Sequence, residues 1–240
     1  MEINEFKQIM NESAKKIDIE FNDKQLQQFY DYMNLLIEWN EKINLTAITK
    51  PNEIIIKHFI DSLTINKYIE KNVKMVDVGT GAGFPGIPIK IYRPDVEVTL
   101  VDSLNKRINF LNEVITKVKL EKINTVHARV EEFAKNKKYR EMFDIVTARA
   151  VANLTVLSEY LLPLTKIKGQ CICMKGSNIE EEYKDSQKAI EILGGHIDDI
   201  NEFYLPDSDI KRCIIKINKI KITPKKYPRK PGTPAKEPIR

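Results

Sequence analysis

The stretch DVGTGAGFPG, residues 77–86, holds four of the nine glycines in a chain of 240 residues. Gly79, Gly81 and Gly83 spell G-x-G-x-G, and Gly81, Gly83 and Gly86 also satisfy G-x-G-x-x-G. An apolar run ending at Asp77 precedes the turn, and Pro85 marks the first turn of a helix after it, where its missing N–H costs nothing. Glycine at such a turn removes Cβ atoms that would hold a ligand away from the backbone. A second apolar run, VEVTLVD, ends in Asp102, at the spacing of a carboxylate that bridges ribose hydroxyls. Together these residues fit a nucleoside-containing cofactor. Asp77 discriminates among such cofactors: beside a dinucleotide pyrophosphate it would repel, whereas beside the ammonium of a methionine zwitterion it would attract. Asp102 likewise disfavours a 2′-phosphate. The expected cofactor is therefore S-adenosyl-L-methionine, with an NAD-dependent oxidoreductase on a Rossmann fold as the alternative.

These residues need strands and helices to place them. From residue 73 onward, strand and helix signals alternate through VKMVDV, VEVTLVD, INTVHA, FDIVTARA and GQCICMKG, and HIDDINEFYL and RCIIKINK close the chain's pattern. Five strand–helix units ending in two adjacent strands predict an α/β, Rossmann-like fold. Its seven-stranded sheet is mostly parallel, has helices on both faces, and turns its last strand antiparallel. Residues 1–68 form an N-terminal helical extension in which Leu26, Phe29, Tyr30, Met33, Leu36 and Ile37 recur at helical spacing. Residues 69–219 are the expected core domain and residues 220–240 a separate tail. Three more candidates sit at or just after strand ends, the edge where open α/β sheets bind ligands: Glu131, Arg149 and Lys175. Lys106 and Arg107 open a helix, a mildly costly place for cations, which fits either contact with phosphate or a solvated face. His58, His127 and His196 each read as structural.

Charge is unevenly spread. Between Lys219 and Arg240 lie eight basic residues and one acid, Glu237, so this segment carries +7 of a total of +5 and the remainder carries −2. Five prolines in the same segment predict an extended basic strap, which reads either as a polyanion contact through Lys225, Lys226, Arg229 and Lys230, with Tyr227 among them for stacking, or as a solvated terminus. Cys171, Cys173 and Cys213 lack metal or disulfide spacing and read as small buried hydrophobes, so no metal site is expected. No run is long and apolar enough for a membrane span, and the first twenty residues lack a secretory pattern, so a cytoplasmic monomer is expected.

The region from Asp77 to Val114 resembles the cofactor region of the bacterial small-subunit ribosomal RNA guanine-N7 methyltransferases, the family once named for glucose-inhibited division protein B. The likeness continues through WNEKINLTAIT (39–49), HFIDSL (58–63), FDIVTARAVANL (143–154), LLPLTKIKG (161–169), MKG (174–176) and YPRKPGTPAKEP (227–238), about 200 residues in all. It implies that Gly79 and Phe84 line the cofactor, that Asp102, Ser103 and Leu104 flank the adenosine, that Val130 and Glu131 meet the adenine end, and that Arg149 sits near cofactor and target base. Val130 departs from the family's usual alanine. The implied activity is methylation of a guanine N7 in 16S rRNA, naked or in the subunit. That nitrogen already presents a lone pair, so no general base is required, and Arg149 and Lys175 are cast as positioning groups. A cofactor-binding RNA module without activity is a third reading.

Overall fold

The computed structural model describes residues 1–177 and 179–239. The N-terminal part is helical: α1 (Ile3–Lys15), α2 (Asp23–Ile43) and α3 (Pro51–Ile54). From α3 the chain runs through a π-helical segment, Ile55–Ile60, into α4 (Asp61–Leu63). Helix α2 begins with a reciprocal cap, the Asn22 side chain accepting from the Gln25 N–H while the Gln25 side chain accepts from the Asn22 N–H, which satisfies two otherwise orphaned donors. Its buried stripe is Leu26, Phe29, Tyr32, Met33 and Leu36. Tyr30 and Ile37, expected on that stripe, are half-buried, and Tyr32 takes the inner place instead.

The sheet is built from β1 (Lys74–Val78), β2 (Glu97–Asp102), β3 (Ile123–His127), β4 (Phe143–Arg149), β5 (Thr165–Lys175), β6 (Gly195–Tyr204) and β7 (Lys211–Lys219). Their order is β3-β2-β1-β4-β5-β7-β6. The first five strands are parallel, while β7 runs antiparallel between β5 and β6, as the paired closing strands in the sequence suggest. Helices α5 (Gly86–Tyr92), α6 (Asn105–Lys117), α7 (Val130–Lys135), α8 (Leu154–Leu161) and α9 (Glu180–Ile192) connect them. The order reverses between β1 and β4, so their carboxyl ends open a crevice at the switch point, where open sheets bind ligands.

Two cores flank the sheet. On one face Phe6, Phe29, Tyr32 and Phe59 pack with Ile87, Leu100 and Phe110, so the helical extension shares one apolar core with α5 and α6. On the other face, α8 and α9 cover Val76, Val146 and the three buried cysteines, Cys171, Cys173 and Cys213. Tyr227 and Ile239 belong to this second core. The tail is thus a packed element rather than an extended strap: it includes α10 (Thr233–Lys236) and is anchored by Arg140, which donates to the carbonyls of Thr223 and Tyr227. Proline had excluded long regular structure there, but it did not exclude apolar anchors. Tyr227 is buried and unavailable as a stacking platform.

Candidate functional site

The turn after β1 adopts left-handed backbone at Gly79 (φ 65°), Gly81 (φ 61°) and Gly83 (φ 101°), which explains the glycine spacing on conformational grounds. The glycines serve different neighbours, however. A Cβ on Gly81 would meet nothing within 4 Å, so this one faces open space, as expected of a ligand contact. A Cβ on Gly83 would strike Ile87 at 2.5 Å and the Tyr32 hydroxyl at 2.9 Å, and one on Gly86 would strike Leu100 at 2.3 Å. These two positions let α5 and α2 close against β1, and Gly83 does not line the crevice. Tyr32 fixes the turn from behind by donating to the Ala82 carbonyl.

Two carboxylates bracket the turn. Asp77 is fully buried, and its Oδ2 accepts from the Thr80 hydroxyl at 2.6 Å and from the Gly86 N–H at 2.8 Å. Its Oδ1 has no hydrogen-bond partner among the described residues. Burial pushes the Asp77 carboxyl up to about 6, against the two hydrogen bonds and the positive charge of Arg149. Asp102 ends β2, with Oδ2 accepting from the Gly81 N–H at 2.9 Å and Oδ1 from the Leu104 N–H at 2.9 Å. Arg107 pairs with Asp102 at 3.2 Å, so this cation, expected on RNA phosphate, is committed to a carboxylate at the crevice wall. The Leu104 side chain is exposed and contributes only its N–H.

Two adjoining cavities share Gly79, Asp102, Ser103 and Val151. The smaller, about 330 Å³, is closed by Val130, Glu131 and Tyr160 and by Gly232 and Ala235 of the tail. The larger, about 700 Å³, carries Phe84, Arg149 and Lys175 as expected, together with Thr46, Lys57, His58, Asp61 and Arg212. Those last five were not among the candidates. The apolar spacing after Pro51 places His58 on the inner side of a helix as a structural residue, but nothing in it announces that a π-helical segment also turns Asp61 inward, a local irregularity common at functional sites.

The larger cavity is organised by one network. Asp61, 2% exposed, accepts from Arg149 at 3.2 Å and from Arg212 Nε at 3.0 and 3.2 Å. Arg149 also donates to His58 Nδ1 at 3.1 Å and lies over the Phe84 ring at 4.8 Å, while His58 stacks on Phe84 at 4.3 Å. With Nδ1 accepting, the His58 proton resides on Nε2, which donates to Thr46 Oγ1 at 2.9 Å. Burial and the adjacent Arg149 charge push the imidazole down to about 3, so it is neutral at physiological pH.

Other expected cations are occupied. Lys175 pairs with Glu182 at 2.7 Å and donates to the Ala152 carbonyl, and Arg229 makes a bidentate pair with the buried Glu159, its Nη2 at 2.7 Å. Neither is a free phosphate contact. Lys106 is exposed and reaches the Ile43 carbonyl at 3.3 Å, while Lys225, Lys226 and Lys230 are exposed, Lys226 lying over the Tyr227 ring.

The sheet order, the glycine turn at its switch point and the acid ending β2 define a Rossmann-like methyltransferase fold of class I. Solved structures agree. A SAM-dependent methyltransferase from Aquifex aeolicus superposes with a TM-score of 0.54 at 14% identity, over 72% of this chain and 96% of that one. TYW2 from M. jannaschii, solved with AdoMet, gives 0.53 at 16% identity over 67% and 77%. Family follows from sequence: the model for rRNA small subunit methyltransferase G (GidB) matches residues 25–211, and the chain belongs to that family. Proteins named ribosomal RNA small subunit methyltransferase G are 53% identical in Clostridium novyi, over 98% of this chain and 97% of that one, and 54% identical in Acetivibrio thermocellus, over 97% and 96%.

Proposed function

We propose that this protein transfers a methyl group from S-adenosylmethionine to the N7 of a guanine in small-subunit ribosomal RNA, acting by position rather than by acid–base chemistry. Family membership supports the substrate class, and the site chemistry supports the rest. The observation that carries the donor assignment is the pair of carboxylates at the glycine turn. Asp102, which lines both cavities, stands where ribose hydroxyls would meet it, while Asp77 lines neither and lies buried beneath the turn, where its charge favours an ammonium above it. A pyrophosphate at this turn would meet the Asp102 carboxylate with Asp77 buried behind the glycines, which weighs against the nicotinamide alternative.

The cofactor supplies an electrophilic methyl on a sulfonium. The guanine N7 supplies a lone pair, and no proton has to leave before attack. The protein therefore needs no base, and His58, neutral and bonded on both nitrogens, is not placed to act as one. Its role is to hold Arg149 flat against Phe84. Arg149 and Arg212, fixed by Asp61, present cationic edges suited to the base rim or the flanking phosphate. Alignment of acceptor, methyl and leaving group is worth several kcal/mol when geometry is fixed in advance.

The test uses methyl-labelled S-adenosylmethionine and small subunits from cells lacking the gene. The expected outcome is label in the small-subunit RNA, with chain cleavage by borohydride and aniline at one labelled position. Label without cleavage would move the target off N7, and no label on any RNA would remove the activity.

A further inference from the structure

The tail closes the smaller cavity, and its attachment there is specific. Glu131 is 5% exposed, and its Oε1 accepts from the Gly232 N–H at 2.8 Å. Gly232 has φ 81°, a conformation that favours glycine, so the tail's one glycine sits where its backbone must bend toward Glu131. Among the described residues Glu131 makes no other side-chain hydrogen bond, which leaves its second oxygen able to accept a donor inside the cavity. On either side of Gly232 the tail is pinned: Arg229 to the buried Glu159, and Ile239 into the core behind α8. Ala235 then lines the cavity with a side chain too small to fill it.

We infer that residues 232–235 are a wall of the cofactor's purine subsite, so that the C-terminal tail sets affinity for the adenine end of the cofactor. This rests on the placement of the cofactor's ribose at Asp102 proposed above, since Asp102 also lines the smaller cavity. The ligand class follows from the lining: a carboxylate acceptor at Glu131 for an exocyclic amine, and Val130, Tyr160 and Ala235 for a flat apolar ring. The glycine turn accounts for the cofactor's other end. A segment whose sequence reads as a solvated basic strap thereby becomes part of the small-molecule site.

The test uses the full chain and S-adenosylhomocysteine. Amide hydrogen exchange should slow on binding at Gly79–Gly81 and also at Gly232–Ala235. A235F, changed at an exposed position, should weaken binding of S-adenosylhomocysteine and of methylthioadenosine by tenfold or more while the free protein's unfolding temperature stays within a degree or two. Slowed exchange at the glycine turn without any at the tail, with A235F binding like the wild type, would overturn the inference and leave the site reading intact. No slowing at the glycine turn would overturn the site reading, and the tail inference with it. Slower exchange at both segments with weakened A235F would establish it.

Discussion

The N-terminal extension and the C-terminal tail each complete one end of the same crevice, and they are held by different physics. The extension is fixed by apolar burial: Phe6, Phe29, Tyr32 and Phe59 fill a core with α5 and α6, and its π-helical segment delivers His58 and Asp61 to the larger cavity. The tail is fixed chiefly by ionic and polar bonds, Arg229 to Glu159, the Thr223 N–H to Glu141 and the Gly232 N–H to Glu131, with Tyr227 and Ile239 as its apolar anchors. Apolar packing tolerates small shifts and is spread over many side chains, whereas each polar anchor is a single point whose loss strands its partner. The two ends should therefore fail differently when broken.

The largest effect is expected at Asp61. Asp61→Ala strips the shared acceptor from Arg149 and Arg212, leaving buried positive charge uncompensated, a change that costs about 3 kcal/mol or more. Methyl transfer to small subunits should fall by about a hundredfold, because Arg149 no longer holds its place against Phe84. S-adenosylhomocysteine affinity should change little. A parallel loss of donor affinity would show that the two cavities are not separable in function.

Asp77 comes next and carries a pH signature. Its native pKa of about 6 lies above its ordinary value of 3.8, so between these values the folded protein binds a proton that the unfolded chain has released. Stability from this group is therefore present below pH 4 and is lost as pH rises through 6, leaving the ionised form costing about 3 kcal/mol at neutral pH. Asp77→Asn should raise the unfolding temperature of the ligand-free protein at pH 7.5 while weakening S-adenosylhomocysteine binding about tenfold. Wild-type affinity should itself drop below pH 6, and that drop should vanish in the variant. His58 acts in the opposite sense. Its native pKa of about 3 lies below its ordinary 6.5, so its stabilisation is full above 6.5 and disappears as pH falls toward 3. His58→Gln should accordingly remove part of the acid sensitivity of unfolding.

Glu159→Gln attacks the tail. It breaks the bidentate pair with Arg229, which is partly exposed, so the stability cost is about 1–2 kcal/mol. Proteolysis within residues 229–237 should speed up well before global unfolding. If susceptibility stays unchanged, the apolar anchors alone hold the tail, and the contrast with the extension disappears.

The same contrast explains what the sequence made legible. Period-2 and period-3.6 patterns exposed all seven strands and the main helices, because apolar faces repeat locally. Asp77, the glycine turn and Asp102 were visible because strand, turn and acid follow one another within a single unit. Asp61 and Arg212 were not, and His58 was legible only as an inward structural residue, since the three meet only after residues far apart in the chain fold onto one another and a helix deviates to a wider pitch. The ion pairs of Arg229, Arg107 and Lys175 were not legible for the same reason: their partners Glu159, Asp102 and Glu182 are distant or lie across a turn. A charge run counts residues but does not reveal which of them are already paired.

The smallest effect concerns the cations left over once these pairs are removed. Lys225, Lys226 and Lys230 are exposed and make no ion pair among the described residues, on the solvent side of a segment whose other side lines the smaller cavity. Replacing all three with alanine should lower affinity for small-subunit RNA only a few-fold at physiological salt. The dependence of log affinity on log salt should become shallower by about 2, since each phosphate contact contributes roughly 0.7–0.9 to that slope. S-adenosylhomocysteine affinity should not move, because none of the three side chains lines the cavity, and the unfolding temperature should shift by no more than about a degree, since only Lys226, over the Tyr227 ring, touches an anchor of the tail. An unchanged salt slope would place the RNA on the extension's side of the crevice, beside Lys57 and Lys106, and would leave the tail with the cofactor alone.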